Sequence, residues 1–134
     1  MQTNADKIVE FQRTMGGDAP DVPTVPSEQT LELRKTLIRE EYHEVTEAID
    51  ALQVNRDDPA ALAHLMHELA DLLYVTYGAM VTCGVDADAV FAEVHRANMM
   101  KANGPRRADG KVLKPKNFKP ADVAAVIAAQ TADG

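Results

Sequence analysis

The sequence predicts an all-α fold, a helical bundle of about five helices. Hydrophobic residues make up 46% of the 134 residues, aromatic residues only 4%, and there is no Trp. The core must therefore be built from Ala, Leu, Met, Val and Ile, and the first three lose little rotamer freedom in a helix. Apolar residues also recur at helical spacing, with Gly and Pro placed between the periodic segments. The length predicts one domain over residues 1–134.

The first helix is predicted over residues 4–15, with Ile8, Phe11 and Met15 on one side. Two glycines then end it, and three prolines keep the following connection extended. These residues are Gly16, Gly17, Pro20, Pro23 and Pro26.

Two long helices are predicted next. The second helix runs from about Ser27 to Leu52, and its apolar residues share one face. Asp58 and Pro59 form a helix start, with an acid at the N-cap and proline in the first turn. The third helix extends to Cys83, before Gly84. Because it is nearly all apolar, we expect it to be buried.

The last third of the chain is predicted to hold two helices around a basic segment. A fourth helix starts at Asp86 or Asp88 and ends at Asn103. Residues 103–119 form an ordered basic loop or small hairpin, because they lack a helical period and carry an Asp-Gly turn signal. A short helix follows at about residues 120–130.

Charge and composition limit the partners. The net charge of −7 argues against binding a nucleic-acid polymer. No stretch is apolar enough for a signal peptide or membrane span, and the single cysteine, Cys83, fits a reducing compartment. We therefore predict a cytoplasmic protein without a membrane partner. Eight of the 14 Lys and Arg residues nevertheless fall between Arg96 and Lys119, so a basic segment complements an acidic remainder.

Acidic side chains lie on the core side of the second helix. At about 100° per residue, Glu41 falls at the centre of the apolar face, and Glu44 lies about 60° to one side. Glu40 and Glu47 follow on the same flank. Solvated surface acids would instead lie opposite the core, as Asp50 does.

The third helix has only two charged residues, Glu68 and Asp71, which share one face at i, i+3 spacing. Burying a carboxylate without compensation costs several kcal/mol, so a positive group must meet them. Of the cations on these two helices, only Arg34 lies on the core-facing side.

The acidic residues predict a metal site. Carboxylates are the ligands that Mg²⁺ and Mn²⁺ prefer, and such ions usually also take substrate phosphate oxygens. Five carboxylates are enough for two or more ions. The predicted ligands are Glu40, Glu41, Glu44, Glu68 and Asp71. The alternative is an ordinary helix pair whose acids are neutralised by basic residues elsewhere, for instance in the basic loop.

Other chemistries have less support. No GxxxxGK[ST] or GxGxxG phosphate loop occurs, and Cys83 lies far from His43, so a metal-activated water is the remaining nucleophile. Glu40-x-x-His43 matches the ligand motif of di-iron carboxylate bundles. However, His43 points away from Glu41, and the next helix offers Glu68-x-x-Asp71 instead. His64, His67 and His95 receive no role.

The acidic pattern resembles a known signature. Arg34-x-x-Leu37-Ile38-x-Glu40-Glu41-x-x-Glu44, followed by Glu68-Leu69-Ala70-Asp71, resembles the EExxE…ExxD motif of MazG-like nucleoside triphosphate pyrophosphohydrolases. That superfamily includes phosphoribosyl-ATP pyrophosphohydrolase and the all-α dUTPases. The later run GVDADAVFAEVHRANMMKANGPRRADGKVLKPKNFKPADV is similar to the MazG-like dUTP pyrophosphatase branch. The resemblance covers about residues 5–128.

This resemblance implies a homodimer in which helices of both chains complete a four-helix core. It implies hydrolysis of a (deoxy)nucleoside triphosphate, with dUTP the best candidate, to the monophosphate and pyrophosphate. The five carboxylates match the family's metal ligands, and Asn98 and Lys101 match a substrate-contacting Asn-x-x-Lys. Lys114, Arg106 and Arg107 fall where phosphate contacts are expected. Some relatives place a base-contacting aromatic residue where this chain has Val75.

Within the predicted site, Glu41 is the candidate general base. It lies deepest on the apolar face of its helix, so burial should raise its pKa most. Glu44, Glu68 and Asp71 are expected nearer the rim. Two alternatives to an enzyme remain: a non-catalytic nucleotide-sensing or dimerisation module on the same fold, and a di-iron carboxylate protein. The preferred base and sugar are not specified by the sequence.

Overall fold

The computed structural model describes residues 1–133 and contains five α-helices. They are α1 (Asn4–Thr14), α2 (Glu28–Val54), α3 (Pro59–Thr82), α4 (Ala87–Ala102) and α5 (Val123–Asp133). Apart from one isolated antiparallel bridge between Arg106 and Val112, these residues form no β-structure. The prediction of an all-α fold with about five helices is confirmed. No helix within residues 1–133 combines the length and the apolar character that crossing a membrane requires.

The first four helices begin at polar N-cap residues. The side chains of Thr3, Ser27, Asp58 and Asp86 each accept a hydrogen bond from a backbone N–H of the first turn. Such caps satisfy donors that have no partner inside the helix, and each is worth about 1 kcal/mol. They explain why the starts of these helices could be predicted within a few residues.

The centre of the fold is the antiparallel pair of α2 and α3. Val45 and Ala48 of α2 are buried against Leu65 of α3, and Leu52, Leu69 and Leu72 pack around them. The helix α1 lies against another side of α3, where the rings of Phe11 and Tyr74 meet edge to face at 5.3 Å. The helix α3 therefore packs mainly against α1 and α2, with a smaller contact to α4, and positions the acidic residues between itself and α2.

The expectation that α3 is buried all round is wrong for this chain. Leu62 and Met66 are each 50% exposed, and Leu73 is 57% exposed. The neighbouring helices cover these side chains only in part, so this side of α3 faces outward. On α1, likewise, Ile8 is buried but Phe11 and Met15 are exposed. The apolar composition of these helices predicted that their side chains are buried. It did not show how many other helices of the same chain are present to cover them.

The fourth and fifth helices pack against each other. The Glu93 carboxylate of α4 accepts a hydrogen bond from the backbone N–H of Asp122 at 3.1 Å. The Asp122 carboxylate accepts one from Ala125 N–H at 3.0 Å, so it acts as a cap. The helix α5 therefore begins after Asp122, three residues later than the predicted start at 120, and continues to Asp133.

The basic segment forms a small hairpin after α4, with an antiparallel bridge between Arg106 and Val112. Its turn closes through hydrogen bonds from Arg107 N–H to the Lys111 carbonyl oxygen and from Gly110 N–H to the Arg107 carbonyl oxygen, with Gly110 at φ 90°. At Gly104, a Cβ atom would lie 1.8 Å from the carbonyl oxygen of Leu113, so only glycine allows the hairpin to approach the helix this closely.

Candidate functional site

Three carboxylates converge between α2 and α3. One carboxylate oxygen from each of Glu41, Glu44 and Glu68 lies within 4.8 Å of the other two. Glu41 and Glu44 lie three residues apart on one face of α2, and Glu68 faces them from α3. The two helices thus bring together acids that are separated in sequence.

The burial of these acids differs from the expectation. Glu68 is 7% exposed and is a buried acid, whereas Glu41 is half-buried and Glu44 is exposed. The prediction that Glu41 lies deepest and Glu68 nearer the rim is wrong. A helical wheel ranks residues within one helix, and α3 turns Glu68 toward the helix pair's core near Leu65.

Two oxygens of this group have no partner. Oε2 of Glu41 and Oε2 of Glu68 are buried and accept no hydrogen bond within residues 1–133. Such an oxygen loses its water without compensation, which is costly. An oxygen-only set of ligands with buried, unpartnered atoms fits a hard divalent cation such as Mg²⁺ or Mn²⁺.

The acids also raise one another's pKa. Burial raises the pKa of Glu41 above its usual value, and the negative charges of Asp71, Glu44 and Glu40 add to the effect. A hydrogen bond with Glu68 raises the pKa of Glu44, and the Glu68 charge adds to it. No Lys or Arg of residues 1–133 lies within ion-pair distance of Glu41, Glu44 or Glu68. This disfavours the alternative in which the basic loop neutralises the acids.

The raised pKa values predict a pH effect on stability. A carboxyl group that holds its proton more tightly when folded makes stability fall as pH rises from the unfolded value of 4.5 through the raised folded pKa. Without metal, wild-type protein should therefore lose stability over this range relative to Glu41→Gln. Denaturant unfolding of both proteins at several pH values, in EDTA, would measure the difference. If the difference in the free energy of unfolding between the two proteins stayed constant with pH, Glu41 would not have a raised pKa in the folded state.

The remaining predicted ligands lie at the edge of this group. Neither Glu40 nor Asp71 belongs to the three-carboxylate group, although the charges of both act on Glu41. Two histidines lie one turn before the acids of α3: His64 Nδ1 is 3.7 Å from Glu68, and His67 Nε2 is 3.4 Å from Asp71. These two exposed histidines are close enough to influence how the carboxylates are oriented.

His43 lies outside the acidic group. Its ring packs edge to face with Tyr42 at 5.7 Å and is exposed. The three-carboxylate group is formed by glutamates only. The geometry therefore favours the carboxylate site over the di-iron alternative, which would need His43 as a ligand.

The basic residues fall into two classes. Lys101 and Lys114 both lie over the ring of Phe118, at 5.7 and 5.3 Å from its centre, within the range of a cation–π contact. Neither lysine forms an ion pair within residues 1–133. Phe118 thus holds two uncompensated positive charges close to each other, which suits an anionic ligand.

The arginines and Asn98 are placed differently. Arg107 pairs with Asp109, which raises the pKa of the Arg107 guanidinium, and Arg106 donates to the carbonyl oxygen of Gly110 at 3.4 Å. Arg96 is fixed by Glu93, and this hydrogen bond lowers the pKa of Glu93 to about 2. Asn98 is exposed on α4. Of the basic residues predicted to contact phosphate, Lys101 and Lys114 are therefore the most available to bind an anionic ligand.

Sequence reasoning assigned no role to Phe118, Gln12 or Arg34. Phe118 gave no signal, because one aromatic residue in a basic loop is not distinctive. Gln12 is a polar residue that is only 5% exposed. Arg34 was recognised as core-facing, and its Nε is buried without a partner in the described part of the chain. A polar residue on an apolar face was the available signal for the last two.

The family comparison agrees with the geometry. Residues 8–98, more than half of the chain, match the sequence profile of the family described as phosphoribosyl-ATP pyrophosphohydrolase. This range contains most of α1 and the whole of α2 and α3, with all five predicted acidic ligands. No curated protein sequence matches the chain.

Proposed function

Because the chain belongs to the phosphoribosyl-ATP pyrophosphohydrolase family, an all-α family related to the MazG-like superfamily, we propose that it hydrolyses a nucleoside triphosphate in a metal-dependent reaction. Family membership implies pyrophosphohydrolase activity on a nucleotide. The proposed products are the monophosphate and pyrophosphate, and the proposed substrate is dUTP. The main support is the group of Glu41, Glu44 and Glu68, with its two buried, unpartnered oxygens.

The acidic group would hold the cations. Glu41, Glu44 and Glu68 are the proposed central ligands for Mg²⁺ or Mn²⁺, and Glu40 and Asp71 would complete the coordination of two or more ions. When bound, such ions stabilise the charge that develops on the phosphate oxygens during hydrolysis. Because α2 and α3 hold the carboxylates from opposite sides, the carboxylates would fix the position of the cations. The cations would in turn fix where the phosphates bind.

Glu41 is the proposed general base. Its pKa is raised, chiefly by burial, which brings it closer to the working pH than an ordinary carboxylate. Its role is to take the proton from the attacking water. The pKa of Glu44 is raised for a different reason, its hydrogen bond with Glu68. Glu44 is proposed as a ligand of the cation and not as the base.

The two lysines at Phe118 are proposed to bind the phosphates. Lys101→Ala and Lys114→Ala should each raise KM for the triphosphate by about 3- to 10-fold, because a charge-assisted contact is lost. The rise in melting temperature on adding Mg²⁺ should persist, since neither residue is a metal ligand. Steady-state kinetics and thermal melts measure both effects. Lys7→Ala, on α1, is the matched control. Unchanged kcat/KM in both lysine variants would assign the hairpin a different role.

The choice of dUTP rests on the similarity of the later part of the chain to the dUTP pyrophosphatase branch. A panel of NTPs and dNTPs with Mg²⁺, assayed for pyrophosphate release, tests it. The expected result is the highest kcat/KM for dUTP. A higher value for another nucleotide would change the substrate while leaving the reaction class intact, and no turnover of any nucleotide would refute the proposal.

The active form is proposed to be a homodimer. Apolar side chains remain exposed on the outward sides of α2 and α3, where they form one surface of the helix pair. They include Leu31, Tyr42, Ile49, Leu62, Met66 and Leu73. Exposed apolar surface of this kind is typical of a protein–protein interface. A second copy packing its own α2 and α3 there would give the four-helix core that the family resemblance implies, and sedimentation velocity would measure the mass.

A further inference from the structure

Arg34 is a cation without an ion-pair partner among residues 1–133. Its Nε is buried and makes no hydrogen bond within residues 1–133. No carboxylate of these residues lies within ion-pair distance of its guanidinium. Guanidinium groups only donate hydrogen bonds and stay charged, so a half-buried one requires acceptors, and the described residues form no hydrogen bond with it.

The residues around the Arg34 guanidinium leave space for it. A Cβ atom on Gly78 of α3 would lie 2.8 Å from Nη1 of Arg34, so the absence of a side chain at this position makes room for the arginine. The same Cβ position is 3.0 Å from Oε1 of Gln12 on α1. Three helices therefore meet at this point, and each contributes to the space around the charge.

Gln12 is held in one orientation. Its amide nitrogen donates to the carbonyl oxygen of Asp18 at 2.7 Å and to the hydroxyl of Thr82 at 3.2 Å. Thr82 in turn donates to the carbonyl oxygen of Gly78 at 2.8 Å. With both amide donors engaged, the Gln12 side chain forms a fixed wall beside Arg34.

The position of Arg34 relative to the acids indicates which part of a ligand it meets. Arg34 and Glu41 lie on the same face of α2, seven residues apart, which is about 10 Å along the helix. Gly78 is likewise seven residues beyond Asp71 on α3. This separation is too large for Arg34 to neutralise the acids directly. A nucleotide whose phosphates bind at the acidic group and whose base extends toward the N-terminal end of α2 would place that base beside Arg34.

We propose that Arg34 binds the nucleobase of the substrate by donating hydrogen bonds to a carbonyl oxygen on the base. This inference rests on the proposed function, because it needs a nucleotide whose phosphates lie at Glu41, Glu44 and Glu68. Arg34 is then a specificity-determining residue that favours oxo bases such as uracil over bases that present an amino group at the same place, since a donor facing a donor is repelled.

Calorimetric titration separates base contact from phosphate contact. The ligands are dUTP with an imido bridge between its α and β phosphorus atoms, and inorganic triphosphate, each with Mg²⁺. Arg34→Met should weaken binding of the nucleotide analogue by about tenfold or more, as expected for a lost charge-assisted hydrogen bond. Binding of inorganic triphosphate should be unchanged. Arg39→Met, an exposed arginine on the same helix, is the control.

Thermal melting distinguishes this role from a structural one. Removing an unpartnered, half-buried charge should leave the melting temperature of the ligand-free protein unchanged or raise it, whereas loss of a structural arginine would lower it. Gly78→Ala is a second variant, because its methyl group would displace the guanidinium, and the same selective loss is expected.

Three outcomes would overturn the inference. They are unchanged binding of the nucleotide analogue in Arg34→Met, an equal loss for inorganic triphosphate, and a lowered melting temperature together with weakened binding of both ligands. A wild-type protein that binds no nucleotide overturns the proposed function as well, whereas nucleotide binding without a selective loss in Arg34→Met overturns this inference alone.

Discussion

Glu41→Gln is expected to lower kcat by about 10²- to 10⁴-fold, the usual effect of removing a general base. The amide keeps the shape and one coordinating oxygen of the side chain but cannot accept the proton from water. Binding of Mg²⁺ and of a non-hydrolysable nucleotide should therefore survive. Single-turnover kinetics measure the chemical step, and isothermal titration measures both binding events.

The control for Glu41→Gln is Glu47→Gln, an exposed acid on the same helix that lies outside the three-carboxylate group. It should retain wild-type kcat. If Glu41→Gln instead lost metal binding as severely as a ligand variant, Glu41 would be a plain metal ligand and the base would be another group.

Glu68→Gln is expected to abolish the stabilisation that metal gives. Metal that binds only the folded state at 100 times its Kd contributes about 2.7 kcal/mol, on the order of 10 °C in melting temperature for a chain of this size. Glu68 is the most buried acid of the group, and its Oε2 has no partner in the described chain. Neutralising it should remove that shift and most of the activity.

The ligand-free Glu68→Gln protein should melt at a higher temperature than wild type in EDTA, because the repulsion between Glu68 and Glu44 is relieved. Asp71→Asn, which lies at the edge, should weaken metal binding less, with activity partly restored by high Mn²⁺. A wild-type metal shift in Glu68→Gln would mean that the three-carboxylate group is not the metal site.

Local signals predicted most of the fold. Asp58 with Pro59, and Asp86, are capping residues whose chemistry fixes a helix start, and the helical spacing of apolar residues identified α2. The start of α5 was predicted three residues early, and the hydrogen bond that ties Asp122 N–H to Glu93, a residue 29 positions away, was not visible in the sequence. Contacts between distant segments leave no periodic signal in the sequence.

The acidic site was only partly predictable, for the same reason. Spacing placed Glu41 and Glu44 on one face of α2, and the structure brings Glu68 to them. How deeply each of the three carboxylates is buried depends on how α3 is rotated about its axis relative to α2. A helical wheel drawn for a single helix gives no information on that rotation. Arg34 lies beside Gly78 of α3 and Gln12 of α1. Because these residues belong to two other helices, the sequence did not show that they surround Arg34.

The most direct test of the proposed reaction is phosphorus-31 NMR of dUTP incubated with the protein and Mg²⁺. The expected result is equal amounts of dUMP and pyrophosphate, with product formation stopped by EDTA and by Glu68→Gln. Release of orthophosphate with dUDP, or product formation that continues at the same rate in Glu68→Gln, would contradict a pyrophosphohydrolase that works at the group of Glu41, Glu44 and Glu68.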